Sequence, residues 1–449
     1  MVFHEHMKIV LVNLPVHIPT VMPYSIAMMN SVLISQLDID IEVLDLNADY
    51  HLFEFKEFYH RIVDEEYFTL LDEFVNKTRL HYQRLSKAAL AGEKLPHYDA
   101  LLQKIIRLKP DAVAFSMAYN SQVFFGKPII RDLRGKGINV ILGGPADYSQ
   151  IKKDAMVLSS YSEMTGYLVK TGAKKHGDIQ AAPIDFSIFD KDKYFSKNIV
   201  YPLRTSISCP YRRCAFCTHH QNNQYHAFDL QTIKDAIIHN KMKKVCFIDD
   251  DFALPHLEKL ASIIEPLHVE WWCQLRPIKG IIPLLPKLHA AGLRSAAWGI
   301  ESGCQKMLDK IEKGTNLEDI ESVLAKSKES GIRNIAYVMF GFPGETADDA
   351  RMTISFLRKN KKYIDLISPS TFGLQRGSRM FEEPSRFGIK SVSFAPRILL
   401  GDKIEYIPKS GMTQEEAETI KKRYLGEMNN MDKVPRVINA CKEQILNIE

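Results

Sequence analysis

The sequence predicts an α/β protein built as two modules in tandem: an open doubly wound parallel sheet, then a partial parallel barrel. Three observations lead there. Short apolar runs such as Lys8–Asn13 read as strands buried on both faces. Helical segments alternate with them through most of the chain. Glycines, carboxylates and cysteines follow the strands, where such sheets and barrels place their ligands.

In the first module, Lys8–Asn13 is the opening strand, followed by a proline-containing loop to Pro23 and a helix over Tyr24–Leu37. Ile41–Leu46 is the second strand, ending in Asp45-Leu46-Asn47. Residues 50–107 are dense in charged and aromatic residues at helical spacing and form an inserted helical region. Asp111–Ser116 and Asn139–Leu142 are further strands, with a helix over Gly126–Gly135 between them. The loops after Asn13, after Ser116 and at Gly143-Gly144-Pro145 share the carboxyl edge of the sheet. Glycine there either admits a bulky ligand close to the backbone or simply turns the chain. This module spans 1–175, and residues 176–200 read as a linker.

A second series of strands begins at Tyr201: Leu203–Ser208, Lys244–Ile248, Val269–Cys273, Ser295–Ile300, Asn334–Phe340 and Leu366–Thr371. Helical stretches lie between them, at Leu230–Asn240, Leu257–Leu267, Ile281–Ala291, Asn316–Gly331 and Ala347–Asn360. This is the pattern of a partial (β/α)6 barrel over 201–380. A small C-terminal segment, 381–449, ends in a helical stretch whose start, Thr413-Gln414-Glu415-Glu416, is a capping box.

The strand ends carry the chemistry. Cys209, Cys214 and Cys217 follow the first barrel strand. Three thiolates this close suit three irons of a 4Fe-4S cluster whose fourth iron stays open. His219 and His220 come next, so a zinc site of Cys and His ligands is the alternative. Asp249-Asp250-Asp251 end the second strand, as holders of an ammonium or hydroxylated ligand or as a solvated loop and helix cap. Arg276 suits a ligand carboxylate, or an ordinary ion pair. Glu301 and Ser302 follow the fourth strand in Gly299-Ile300-Glu301-Ser302-Gly303, and Gly341-Phe342-Pro343-Gly344-Glu345-Thr346 turns after the fifth.

Composition limits the alternatives. The chain has 449 residues, net charge +5 and no long charge run, which gives little reason to expect nucleic acid or an anionic membrane. No apolar stretch nears the ~20 residues of a membrane span. Cys246, Cys273, Cys304 and Cys441 lie far apart, so neither a disulfide scaffold nor a second cluster is indicated. Clustered thiols behind an N-terminus with no charged-then-apolar leader point to the reducing cytoplasm.

These residues carry a resemblance. Cys209/Cys214/Cys217, Phe247-Ile248-Asp249-Asp250, Gly299–Gly303 with Lys313-Gly314 downstream, and Met339–Thr346 stand in the order found in the radical S-adenosylmethionine (SAM) core. The chain resembles the branch of that family with an N-terminal Rossmann-like cobalamin-binding domain. The match there rests on Pro23–Ala27, Pro110–Ser116 and Val140–Pro145. Departures are a C-x4-C-x2-C spacing in place of C-x3-C-x2-C, no Asp-x-His-x-x-Gly motif, and Ser159–Glu163 where an acidic glycine-rich stretch is often found.

The resemblance implies a 4Fe-4S cluster on the three cysteines, with SAM chelating the open iron and cleaved reductively to a 5′-deoxyadenosyl radical. It implies Phe216 along the adenine, Asp249 or Asp250 at the methionine ammonium, Glu301 and Ser302 at the ribose or methionine portion, and Arg276 at the carboxylate. Cobalamin would lie against Asn13, Ser116, Gly143, Gly144 and Pro145. The expected reaction is C-methylation of a peptide or small natural product, the alternative a radical epimerisation, cyclisation or rearrangement. A reductant such as flavodoxin or ferredoxin is the expected partner. No general acid or base is identifiable.

Overall fold

The run Ile9–Asn13 is buried throughout because the strand that contains it lies inside a sheet, with neighbours on both sides. The computed structural model of the protein describes residues 6–62, 66–147, 149–176, 182–219, 224–398 and 400–448. The chain forms two compact units: one of residues 1–199 with 396–402, the other of 200–395 with 403–449.

In the first unit, β1 (Met7–Asn13), β2 (Leu37–Asp45), β3 (Ala112–Ser116), β4 (Asn139–Gly143), β5 (Met156–Val157) and β6 (Lys174–Lys175) form one sheet in the order β5-β4-β3-β1-β2-β6. All pairs are parallel except β2 with β6. The ends of β1, β3 and β4 align, Asn13 opposite Ser116 and Ser116 opposite Gly143, so the three expected loops share one edge. The insertion is helical, its longest member Tyr67–Leu90.

The segment expected to be a linker, 176–200, differs in its described part. Phe186, Phe189, Tyr194 and Phe195 are buried in the first unit, and Phe195 stacks on Phe74 at 4.1 Å. Burying four aromatic rings removes too much apolar surface from water for the segment to act as a free tether. The first unit therefore runs to 199 rather than 175.

The second unit begins with β7 (Tyr201–Leu203), after which β8 (Ser206–Ile207) and β9 (His226–Ala227) make a small antiparallel pair flanking the cysteine loop. The expected strand Leu203–Ser208 is thus broken at Arg204–Thr205, where Asp249 captures the Thr205 amide. Then follow β10 (Lys244–Phe247), β11 (Glu270–Leu275), β12 (Leu293–Glu301), β13 (Arg333–Phe340) and β14 (Leu366–Thr371). With β7 they make one parallel six-stranded sheet in the order β14-β13-β12-β11-β10-β7. Trp271, Trp298, Phe247 and Phe340 fill its core.

The C-terminal segment holds more than helix. An antiparallel hairpin, β15 (Ile389–Ala395) with β16 (Lys403–Pro408), precedes the helix Gln414–Asn429, whose Thr413 and Glu416 form the expected capping box.

Candidate active site

The barrel mouth is organised by its acids. Asp249 is fully buried and accepts from the Thr205 amide and hydroxyl and from Ser206 Oγ at 2.7–3.1 Å. Burial pushes its carboxyl up, and these donors pull it back. Asp249 is thus a brace between β7 and β10 rather than a side chain free to meet an ammonium group. Asp250 meets Arg204 at 3.1 Å and His219 Nδ1 at 2.6 Å, a hydrogen bond that raises the imidazole above its ordinary range. Asp251 accepts the Arg276 amide at 3.1 Å and lies 3.4 Å from Arg276 Nε.

Arg276 has a second contact: its guanidinium lies 3.5 Å from the centre of the Tyr211 ring. Tyr211 reaches this place because its hydroxyl donates to the Glu312 carbonyl and because residue 314 is glycine. A Cβ at Gly314 would stand 2.0 Å from the tyrosine oxygen. The cysteine loop is thereby held between barrel strands by a cation, an aromatic ring and an ion pair.

Within that loop Cys214 is buried, and Cys209 and Cys217 are partly so. Ser208 and Arg212 adopt left-handed backbone, φ 68° and 58°, turning the chain at each end of Cys209-Pro210-Tyr211. Burial pushes the Cys214 thiol up to about 11, with the Lys313 cation opposing. The His219 amide donates to Cys217 Sγ at 3.4 Å. His219's ring is bound to Asp250, which weakens the zinc alternative, and His220 lies outside the described residues. Among the described residues no three His, Cys, Asp or Glu side chains converge on a single metal ion. Three thiols on one loop are soft donors of the kind an iron–sulfur cluster takes, and among the described residues no imidazole or carboxylate joins them.

Glu301 reaches the mouth through a bulge. The β12–β13 register slips between Gly299 and Glu301, and Glu301 takes left-handed backbone, φ 65°. Its Oε1 accepts from Lys313 Nζ at 2.8 Å, and both residues are buried. Burial disfavours the lysine charge, but Glu301, then Cys214, more than offsets it and leaves the amine above its ordinary value. Ser302, expected beside SAM, is buried with its hydroxyl bonded to Thr353 Oγ1 and to the Cys304 amide. Phe216 packs on Phe342, centroids 5.5 Å apart, with Lys313 at 5.9 Å from its ring. Glu345 is fully buried: Oε2 accepts the Gly341 amide, Oε1 has no partner among the described residues, and burial pushes the carboxyl up to about 7.

In the first unit, Asn13 is committed to the fold. Its Nδ2 donates to Asp45 Oδ1 at 3.0 Å and its Oδ1 accepts from Gln122 at 3.2 Å. Ser116 Oγ meets Ser25 Oγ at 2.7 Å. Gly143 accepts the Met117 amide, while Gly144 and Pro145 are exposed. Gly144 has φ 105°, and a Cβ there would lie 2.4 Å from the Met117 carbonyl oxygen. Asn47 completes the edge: its Oδ1 accepts the His17 amide, and its Nδ2 is buried with no partner among the described residues. His17 is kept neutral by burial, its pKa lowered to about 4. An orphaned amide donor after β2 and an exposed glycine turn after β4, on the same carboxyl edge of the sheet, fit a large ligand rimmed with amide oxygens, as cobalamin is.

The sequence reading missed Lys313's role, Tyr211 and Asn47. Lys313 stood beside a flagged glycine and Asn47 in a flagged strand end, so position was the only signal.

Residues 204–357 match the model of the Radical SAM superfamily. An uncharacterised methyltransferase of Pyrococcus horikoshii, PH0819, is 24% identical over 196 residues, 40% of this chain and 42% of that one. The anaerobic magnesium-protoporphyrin IX monomethyl ester cyclase of Rubrivivax gelatinosus is 26% identical over 247 residues, 50% of this chain and 44% of that one. The chain spans under half the length of these curated relatives. Two solved folds are similar over nearly all of the chain. TsrM of Kitasatospora setae, a radical SAM methyltransferase with tryptophan and a SAM analogue bound, has TM-score 0.63 at 14% identity, covering 98% of this chain and 96% of that one. OxsB, a cobalamin-dependent SAM radical enzyme with aqua-cobalamin bound, has TM-score 0.62 at 14% identity, covering 93% and 66%. The chain therefore contains a radical SAM domain at residues 204–357 and has the fold shared by TsrM and OxsB.

Proposed function

We propose that the protein is a radical SAM methyltransferase that uses cobalamin to methylate carbon in a peptide or natural-product substrate. The observation that carries this reading is the thiol-only loop at the barrel mouth, inside the matched domain. Cys209, Cys214 and Cys217 would hold a 4Fe-4S cluster, which would supply an open iron for SAM and the electron for its reductive cleavage. The carboxyl edge of the first sheet would hold cobalamin, which would supply the methyl carrier.

The chain's residues hold and orient. Asp250, Arg276, Glu301 and Phe216 are the SAM-facing set in this reading. Asp249 and Ser302 shape that set from behind, because their hydrogen bonds are spent within the barrel. The Lys313 cation pairs with Glu301 Oε1 at 2.8 Å, and both side chains are shielded from water. In the first unit, Asn47 Nδ2 and the Gly144-Pro145 turn face the cobalamin, while Asn13 and Ser116 tie the strand ends together.

The test is anaerobic turnover with SAM, hydroxocobalamin and a chemical reductant, read by chromatography. The reading expects 5′-deoxyadenosine and S-adenosylhomocysteine, both lost in Cys214→Ala. 5′-Deoxyadenosine with no S-adenosylhomocysteine, whatever the candidate substrate, contradicts methyl transfer. It would favour a second reading, radical cyclisation or rearrangement without methylation, which the likeness to the cyclase supports.

A further inference from the structure

We propose that Tyr211 is a positioning residue for SAM: its ring fixes the Arg276 guanidinium at the barrel mouth and so couples the SAM pocket to the cysteine loop. This rests on the reading of that loop as a cluster site that takes SAM. The first gap of the loop, between Cys209 and Cys214, holds four residues where the pattern it resembles holds three. The backbone shows where the surplus goes. Arg212 adopts left-handed backbone, φ 58°, and Arg212 and Arg213 are both exposed. The gap thus bulges toward solvent at the two arginines, while the Tyr211 side chain turns inward to contacts with the barrel.

Arg276 follows β11 and is where three segments meet. Its amide donates to Asp251 Oδ1 at 3.1 Å, its Nε lies 3.4 Å from Asp251 Oδ2, and its Nη1 reaches the Lys313 carbonyl at 3.5 Å. None of these contacts sets the plane of the guanidinium. Nε is buried without a hydrogen-bond partner, so Asp251 offsets its charge but does not align it. The Nη1 contact is too long to hold an angle. The Tyr211 ring does set the plane, because the guanidinium lies 3.5 Å from the ring centre. The ring is itself anchored by the hydroxyl's bond to the Glu312 carbonyl at 3.0 Å, in the room that Gly314 leaves. Nη2 makes no hydrogen bond among the described residues, so the stack decides where that donor edge points. A planar fork held in place before a carboxylate arrives loses little further freedom on binding it. Tyr211 lies between two of the three cysteines, so the loop that would carry the cluster also aims this arginine.

The test uses the iron-loaded full chain and its Tyr211→Leu and Tyr211→Phe variants, with SAM as the probe. SAM binding is measured by calorimetry, and the reduced cluster is followed by electron paramagnetic resonance as SAM is added. Tyr211→Leu should keep its iron, about four per chain. It should bind SAM about tenfold more weakly, the effect of losing one shielded cation–ring contact. The change that SAM makes in the cluster's spectrum should move to the same higher SAM concentration. Tyr211→Phe keeps the ring and loses only the hydroxyl, so its affinity should stay within about threefold of the unsubstituted chain. Unchanged SAM binding in Tyr211→Leu would overturn the proposal. So would an equal loss in Tyr211→Phe, which would assign the effect to the hydroxyl. Loss of iron from Tyr211→Leu would overturn it as well, because the residue would then serve only the folding of the loop. An unsubstituted chain that takes no iron, or takes iron and binds no SAM, would instead defeat the reading on which the proposal rests.

Discussion

At the scale of single residues, the barrel mouth depends on charges that are buried in pairs. Lys313→Ala leaves buried Glu301 without its partner, and is expected to lower stability to denaturant by about 3–5 kcal/mol. Glu301→Gln with Lys313→Met should cost clearly less than that single substitution, because no charge is then stranded. Equal losses would show that the pair is not coupled. Glu345 differs in sign. Its carboxyl is pushed up to about 7 by burial, so the folded protein holds that proton more tightly than the unfolded chain. Its contribution is complete below the ordinary carboxylate range and is lost as pH rises through about 7. Wild type should therefore lose up to about 3 kcal/mol between pH ~5 and ~8 that Glu345→Gln does not lose. Parallel unfolding curves for the two proteins at both pH values would refute this. Cys209, Cys214, Cys217 and Glu301 were legible because each sits in a short local motif. The Glu301–Lys313 pair and Arg276 on Tyr211 were not, because folding alone brings those side chains together.

At the scale of elements, the bulge at Gly299–Glu301 and the break at Arg204–Thr205 do the placing. Each interrupts a strand where a carboxylate must turn inward. Apolar periodicity identifies strands but not their interruptions, so a continuous strand over 203–208 was expected. The turn after β4 was read as either admitting a ligand or turning the chain, and Gly144 turns the chain tightly against the Met117 carbonyl. Gly144→Ala should cost about 1–3 kcal/mol in strain alone and weaken cobalamin retention on desalting, while iron content stays unchanged. Normal cobalt retention by a folded Gly144→Ala protein would separate that turn from the cofactor.

At the scale of the whole molecule, the two-module architecture was legible from strand–helix alternation, while the unit boundary was not. The stacking of Phe195 on Phe74 joins residues far apart in sequence, and no local composition announces it. The C-terminal hairpin escaped for a related reason: its strands β15 and β16 are largely exposed and so carry little buried-strand pattern. Among the described residues, no helix is long and apolar enough to cross a membrane. The central claim is that one chain holds both cofactors, each in its own unit. Its most direct test is metal quantification with a visible spectrum, on anaerobically reconstituted protein incubated with hydroxocobalamin and desalted. The account predicts about four irons and about one cobalt per chain, the iron lost in Cys214→Ala and the cobalt retained. Iron without cobalt would contradict cobalamin-dependent methylation and leave the first unit a structural or substrate-docking role.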